Sequence, residues 1–217
     1  MRNHFLRTIA DGPAVSFTHS ASSTADATSY TFNNCAIGAA AADRFVIVAV
    51  QVGQTGGSIA GVTIDGVAAT LLAYSGTGDV CTALYGRLVT TGTTTTVVVN
   101  PSSVNRCAIQ VYAAYGLNST TPFDTYVQYV AADTDGITGT IDTSRGGFVV
   151  ACFASQTTSS VLGVTWTGVD EDYSAHVETQ RYSSASRRAM RDSLNNTITA
   201  ARADGTNAVA LSAISMR

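Results

Sequence analysis

The chain has 217 residues, 45% of them apolar, and a formal net charge of −3. That is enough apolar material for a sizeable core and too little charge for wholesale disorder; the mildly acidic balance also excludes a general nucleic-acid binder. All 12 basic residues are arginine, glutamate occurs only at Glu171 and Glu178, and threonine is abundant, a usage that favours pleated strands over long helices.

Residues 1–24 read as an extended N-terminal arm. Gly12, Pro13 and the Ser/Ala/Thr-rich run at 20–29 oppose regular structure there. Phe5, Leu6 and Ile9 suit insertion into a neighbouring subunit, and Arg2 and Arg7 suit pairing with acidic groups beside it. The first residues lack the apolar stretch of a secretory leader, so export by that route is not expected. Nor does any segment approach the ~20 apolar residues of a membrane-spanning helix.

From Thr28 onward short strands are broken by Gly, Asn, Asp or Pro. Residues 45–52 and 148–153 are apolar on both faces, as central strands covered on each side would be. Residues 106–115 alternate, with Cys107, Ile109, Val111 and Ala113 on one face and Arg106, Gln110 and Tyr112 on the other. Turns are expected at 53–57, Asp65-Gly66, 76–79, Asn100-Pro101, 118–122, 133–136 and Asp204-Gly205. Residues 183–195 could be an Arg-rich helix, but their counterpart at 80–91 reads as a strand, so a strand is expected there too. Residues 118–142 would bridge the halves.

Those halves echo each other. Gly61-Val-Thr-Ile-Asp-Gly-Val67 returns as Gly163-Val-Thr-Trp-Thr-Gly-Val169, 102 residues later. Residues 93–99 answer 195–202, and 107–115 answer 208–215. Titratable residues do not repeat: Asp65 becomes Thr167. What is duplicated is framework, which points to a scaffold or binding protein before an enzyme. The predicted fold is all-β, a jelly-roll-like antiparallel β-sandwich with an internal pseudo-repeat and an extended N-terminal arm. It comprises the arm at 1–24 and one sandwich domain at 25–217, with repeat halves at about 28–117 and 125–217.

Candidate chemistry is sparse. Cys35, Cys81, Cys107 and Cys152 lie in or beside apolar runs without metal-ligand spacing, as reduced core thiols do. Asp133-Thr-Asp135-Gly136 has the opening of a calcium loop but lacks its later ligands, and Asp-Gly is also an ordinary turn. No nucleophile elbow, P-loop or dinucleotide fingerprint occurs, and no metal or cofactor is expected. Asp170, Glu171, Asp172 and Glu178 are the sole material for a paired-carboxylate cleft. The strongest charge feature is the arginine cluster Arg181, Arg187, Arg188, Arg191 and Arg202. Arg187, Arg188 and Arg191 are candidates for gripping an acidic partner surface, against the plainer reading of pairing within the chain. Trp166 replaces Ile64 in the repeat, which favours core packing; exposed, it could stack with Tyr173 on a sugar ring.

Two stretches carry a resemblance: Gly38-Ala-Ala-Ala-Ala-Asp43-Arg44-Phe-Val-Ile-Val-Ala-Val50, and Ser58-Ile-Ala-Gly-Val-Thr-Ile-Asp-Gly-Val-Ala-Ala-Thr70, followed by Ala83-Leu-Tyr-Gly-Arg-Leu88. From about Thr28 to its C-terminus the chain resembles β-sandwich virion proteins of tailed bacteriophages and gene-transfer-agent particles. The resemblance implies a non-enzymatic structural protein of a virion, first a head decoration or auxiliary capsid protein bridging neighbouring subunits. The alternative it implies is a receptor- or glycan-binding module of a head spike, tail or fibre. Other virion proteins would be its partners, and a homo-oligomer, such as a trimer, its state; neither a membrane nor a specific nucleic acid is expected. No catalytic residues come with the pattern. An extended fibre shaft is disfavoured, since no coiled coil or repetitive shaft is present.

Overall fold

The two runs that are apolar on both faces become the middle strands of two five-stranded sheets. A computed structural model describes residues 12–53, 58–76, 78–103, 105–131, 136–157, 163–202 and 208–217, and every regular element in it is a strand. The first half holds β1 (Ala14–Ala27), β2 (Tyr30–Ala36), β3 (Phe45–Gly53), β4 (Ile59–Ile64), β5 (Val67–Ala68), β6 (Thr70–Ser75), β7 (Val80–Leu88), β8 (Thr94–Pro101) and β9 (Asn105–Tyr115). The second holds β10 (Asp124–Val130), β11 (Gly136–Thr143), β12 (Phe148–Gln156), β13 (Thr165–Thr167), β14 (Asp170–Val177), β15 (Gln180–Arg188), β16 (Ser193–Ala201) and β17 (Val209–Met216).

All pairings are antiparallel, and the duplication extends to topology. The order β1-β9-β3-β7-β6 becomes β10-β17-β12-β15-β14, and β2-β8-β4-β5 becomes β11-β16-β13. Each half is sandwich-like. In the first, Val46, Val48, Val50 and Val52 of β3 face Ile64 of β4 and Val97 and Val99 of β8 across one core. In the second, Val149, Ala151 and Phe153 of β12 face Ile137, Ile141 and Ile198.

The opposite faces of the two five-stranded sheets pack on each other. Phe45, Ile47 and Ala49 of β3 and Tyr112 of β9 meet Phe148, Val150 and Cys152 of β12 and Ile214 of β17. A second patch joins Val80 and Ala108 to Ala154, Tyr182 and Ala210. Period-two geometry therefore explains the double-sided apolar runs: odd and even residues of β3 and β12 serve different cores. Each large apolar side chain buried this way contributes about 1.5–3 kcal/mol.

Several expectations differ from what is observed. Residues 14–24, expected within the arm, lie in β1, whose register runs along β9 from Ala14↔Tyr115 to Ala27↔Asn105. Residues 1–11 lie outside the described residues. Residues 118–142 are not only a bridge, because β10 and most of β11 lie within them and belong to the second half. Asn100-Pro101 ends β8 rather than forming a separate turn, with Pro101 paired to Ile59. The single sandwich read over 25–217 resolves into two facing-sheet units, each with its own core, joined through a third core. Residues 180–188 are a strand, and Asp65-Gly66 turns with both residues at positive φ (57° and 72°), the geometry that matches strand twist in a two-residue hairpin.

Candidate functional site

Arg44 shows how the sandwich ends are closed. It directly precedes β3 and is completely buried. Its Nε donates to Val89 O (2.8 Å), Nη1 to Gly38 O (2.9 Å) and Gly92 O (2.8 Å), and Nη2 to Thr91 O (2.5 Å). One guanidinium thus ties the β2–β3 loop to the β7–β8 loop and fills the end of the first sandwich. Its neighbour Asp43 accepts from Gly116 N at 2.8 Å, fastening the chain beyond β9.

The matching position in the second half is Gly147. Both residues make the same backbone contacts: Val89 N donates to Arg44 O, as Ala189 N does to Gly147 O. Arg44 N donates to Ala41 O, as Gly147 N does to Ser144 O. A Cβ at Gly147 would lie 2.2 Å from Met216 O, so no side chain can occupy this position without moving β17. Here the loops are tied differently. Asp192 Oδ1 accepts from Arg145 N (2.8 Å), and Asn196 Nδ2 donates to Thr143 Oγ1 (2.7 Å).

Near this end of the second half, with Ala189 in its lining, lies a pocket of about 210 Å³. Its floor includes Val149 and Ile198, its wall Thr143 and Asn196, and its rim Arg187, Arg188 and Arg191. Arg187 and Arg188 end β15, and the turn after it carries Met190, also at the pocket, and Arg191. Arg187 Nη1 reaches Gly168 O only at 3.4 Å. Among the described residues, no salt bridge engages Arg187 or Arg191. Met190, on that turn, is 79% exposed, and Leu194, near the start of β16, is 77% exposed.

The structure therefore gathers Arg187, Arg188 and Arg191 at one rim and separates the other two arginines from them. Arg181 and Arg202 are buried, Arg202 donating to Gln156 O at 2.6 Å. Arg2, Phe5, Leu6 and Arg7 lie outside the described residues, as do Asp133 and Asp135. Glu178 bonds Arg106, whose Nη2 also stands 3.6 Å from Asp26 of β1. It is thus engaged in a clamp between the halves rather than paired with the arginine cluster.

Trp166 packs edge-on against Phe153 (6.4 Å between ring centres), and its Nε1 donates to Ser183 Oγ at 2.8 Å. Ser183 Oγ in turn donates to Tyr173 O (2.8 Å). Tyr173 is partly buried, and desolvation pushes its phenol up. Both aromatics are partly buried and engaged in packing.

Of the β14 carboxylates, Asp170 and Glu171 are exposed and Asp172 is half-buried. Burial raises Asp172, which accepts from the fully buried Tyr112 hydroxyl at 3.0 Å. Burial likewise raises Glu171, opposed by its hydrogen bond with Ser183. All four cysteines are free and buried, and desolvation pushes the Cys152 thiol up to about 12. Among the described residues no group of His, Cys, Asp and Glu is placed to hold a metal.

Arg44 was missed by reading residues for chemistry. Its signal was a difference between copies, Arg before one double-sided strand and Gly before the other. No family model, curated protein or solved structure matches this chain.

Proposed function

We propose that this chain is a non-enzymatic structural protein of a phage-like particle, serving as a head decoration or auxiliary capsid component that bridges neighbouring subunits. The observation that carries the reading is the strand order. In the first half β1-β9-β3-β7 faces β2-β8-β4-β5, with β6 added at one edge. We read that interleaving of early and late strands as jelly-roll-like, and jelly rolls are common in viral shells, which supports a shell role. Among the described residues the second half repeats it, without a counterpart of β5.

The segments that resemble virion proteins support the same reading, because they build β3, the β4–β5 hairpin and β7, the framework rather than a cleft. Two sandwiches packed back to back present loop ends and sheet edges outward, which suits a bridging element. Residues 1–11 would anchor to a neighbouring subunit through Phe5 and Leu6, with Arg2 and Arg7 pairing with acidic shell groups. Arg187, Arg188 and Arg191 offer a second contact. Occupation of a homotrimer at particle symmetry axes is part of the proposal.

The experiment is quantitative mass spectrometry of gradient-purified particles from a producing host, with the full chain compared against a variant lacking residues 1–11. The full chain is expected at a fixed ratio to the major shell protein, and the truncated chain should fold yet be lost from particles. Absence of the full chain from purified particles would overturn the assignment. The receptor- or glycan-binding alternative has less support, since Trp166 and Tyr173 are held in packing contacts.

A further inference from the structure

The two halves are a controlled comparison within one chain. One sandwich end is closed from inside by a guanidinium; the other half has glycine at the matching position and, near that end, a pocket lined in part by Arg187, Arg188 and Arg191. The second half thus carries a cavity with cationic donors in its lining. Arginine forks match carboxylate geometry, and their attraction is strongest where water is partly excluded. Thr143 and Asn196 add hydrogen-bonding capacity deeper in, and Val149 and Ile198 supply an apolar floor.

The lining also offers Met190, aliphatic and 79% exposed. Sugar rings are ordinarily held on flat aromatic faces, and no aromatic residue lines this pocket. An aliphatic ledge beside three arginines matches a protein segment in which a carboxylate side chain alternates with an aliphatic one.

We propose that this pocket receives a carboxylate from an acidic, aliphatic-bearing segment of a protein partner, with Arg187, Arg188 and Arg191 gripping the acid and Met190 covering the neighbouring aliphatic side chain. The inference rests on reading this rim as a partner contact. It does not depend on the particle assignment, because peptide binding in solution can succeed while incorporation into particles fails, and the reverse.

The test is fluorescence anisotropy with a dye-labelled peptide alternating glutamate and leucine, titrated with the full chain. A glutamine–leucine peptide, a glutamate–serine peptide and free glucuronate serve as comparisons. Charge reversal at two exposed rim positions, Arg187→Glu with Arg191→Glu, should weaken the glutamate–leucine peptide at least about 10-fold, the loss expected for one or two charge-assisted hydrogen bonds. Ala189→Leu, which fills the pocket without touching rim charge, should weaken it as well, with circular dichroism confirming that both variants fold. Binding should weaken with added salt, and both comparison peptides should bind less well. No saturable binding at millimolar protein, equal binding of the glutamine peptide, or indifference to the double reversal overturns the proposal. Glucuronate displacing the peptide at lower concentration than the unlabelled peptide does would reassign the pocket to acidic sugars and equally overturn it.

Discussion

Replacing Arg44 with alanine removes a side chain that is fully buried and donates four hydrogen bonds to backbone carbonyls. Charge-assisted bonds of this kind contribute about 1.5–3 kcal/mol each, and an orphaned buried acceptor costs about 1–3 kcal/mol. Water entering the vacated volume can recover part of this, so the whole is far below the sum, at about 4 kcal/mol. In a chain of this size that lowers the melting temperature by about 8–16 °C. The single tryptophan makes the measurement local. Trp166 lies in the second half and packs on its core, so its fluorescence follows that half, while circular dichroism follows both. With halves joined through a buried seam, both signals should shift together in urea. A loss under about 1 kcal/mol would refute the plug as a stabilising device. A tryptophan transition that stays at the wild-type midpoint while circular dichroism shifts would refute coupling between the halves. Arg44→Lys should recover little, since an ammonium cannot span three loop carbonyls and Gly38 in the same fork.

Tyr112→Phe removes a buried hydroxyl bonded to Ser184 (2.7 Å) and Asp172 (3.0 Å), and should cost about 1–3 kcal/mol in urea unfolding. Because burial raises the Asp172 and Glu171 carboxyls in the folded state, the folded chain holds protons that the unfolded chain has released. Stability should therefore fall as pH rises from the ordinary carboxylate range through the raised values, and Asp172→Asn should flatten that slope. The amides of Gln51 and Gln110 meet at 2.6 Å inside the seam, with Gln51 Oε1 and Gln110 Nε2 lacking partners. Gln51→Met alone should destabilise and the double change with Gln110→Met should be close to neutral, as read from denaturation midpoints. A thiol reagent should find no fast-reacting cysteine in the native chain and four after unfolding, since all four are buried and desolvation raises the thiols.

How much of this was visible beforehand follows from which signals are local. Strands β3 and β12 announced themselves because both faces are apolar, and the repeat of the Gly-Val-Thr hairpin placed their partners. Strand β1 did not: its sequence is mostly Ser, Ala, Thr and His, and what holds it is the ladder with β9 and the insertion of Val15 and Phe17 against the seam core. Strand β10 was hidden for another reason: Tyr126, Val127, Tyr129 and Val130 put apolar side chains on both faces around Gln128, so no clean alternation stands out. The pocket depends on four separated segments meeting at one sandwich end, a property no stretch of sequence carries by itself.

The seam between halves shows why a duplicated framework needed divergence at a few positions. Each five-stranded sheet has an apolar outer face, so two copies of either half could in principle pair through the same surface. The ladders make Leu84 the counterpart of Ser184, Tyr112 that of Ile214, and Thr82 that of Tyr182. In the actual seam Tyr112 reaches Ser184 Oγ, Tyr182 donates to Arg106 O (3.2 Å), and Ser212 Oγ lies 2.9 Å from Thr82 Oγ1. If two first halves paired in the same geometry, Tyr112 would face Leu84, leaving a buried hydroxyl without its acceptor, at about 1–3 kcal/mol each. If two second halves paired, Ser212 would face the Tyr182 ring in place of Thr82. The apolar seam supplies adhesion; these few polar substitutions make the first half prefer the second over another copy of itself.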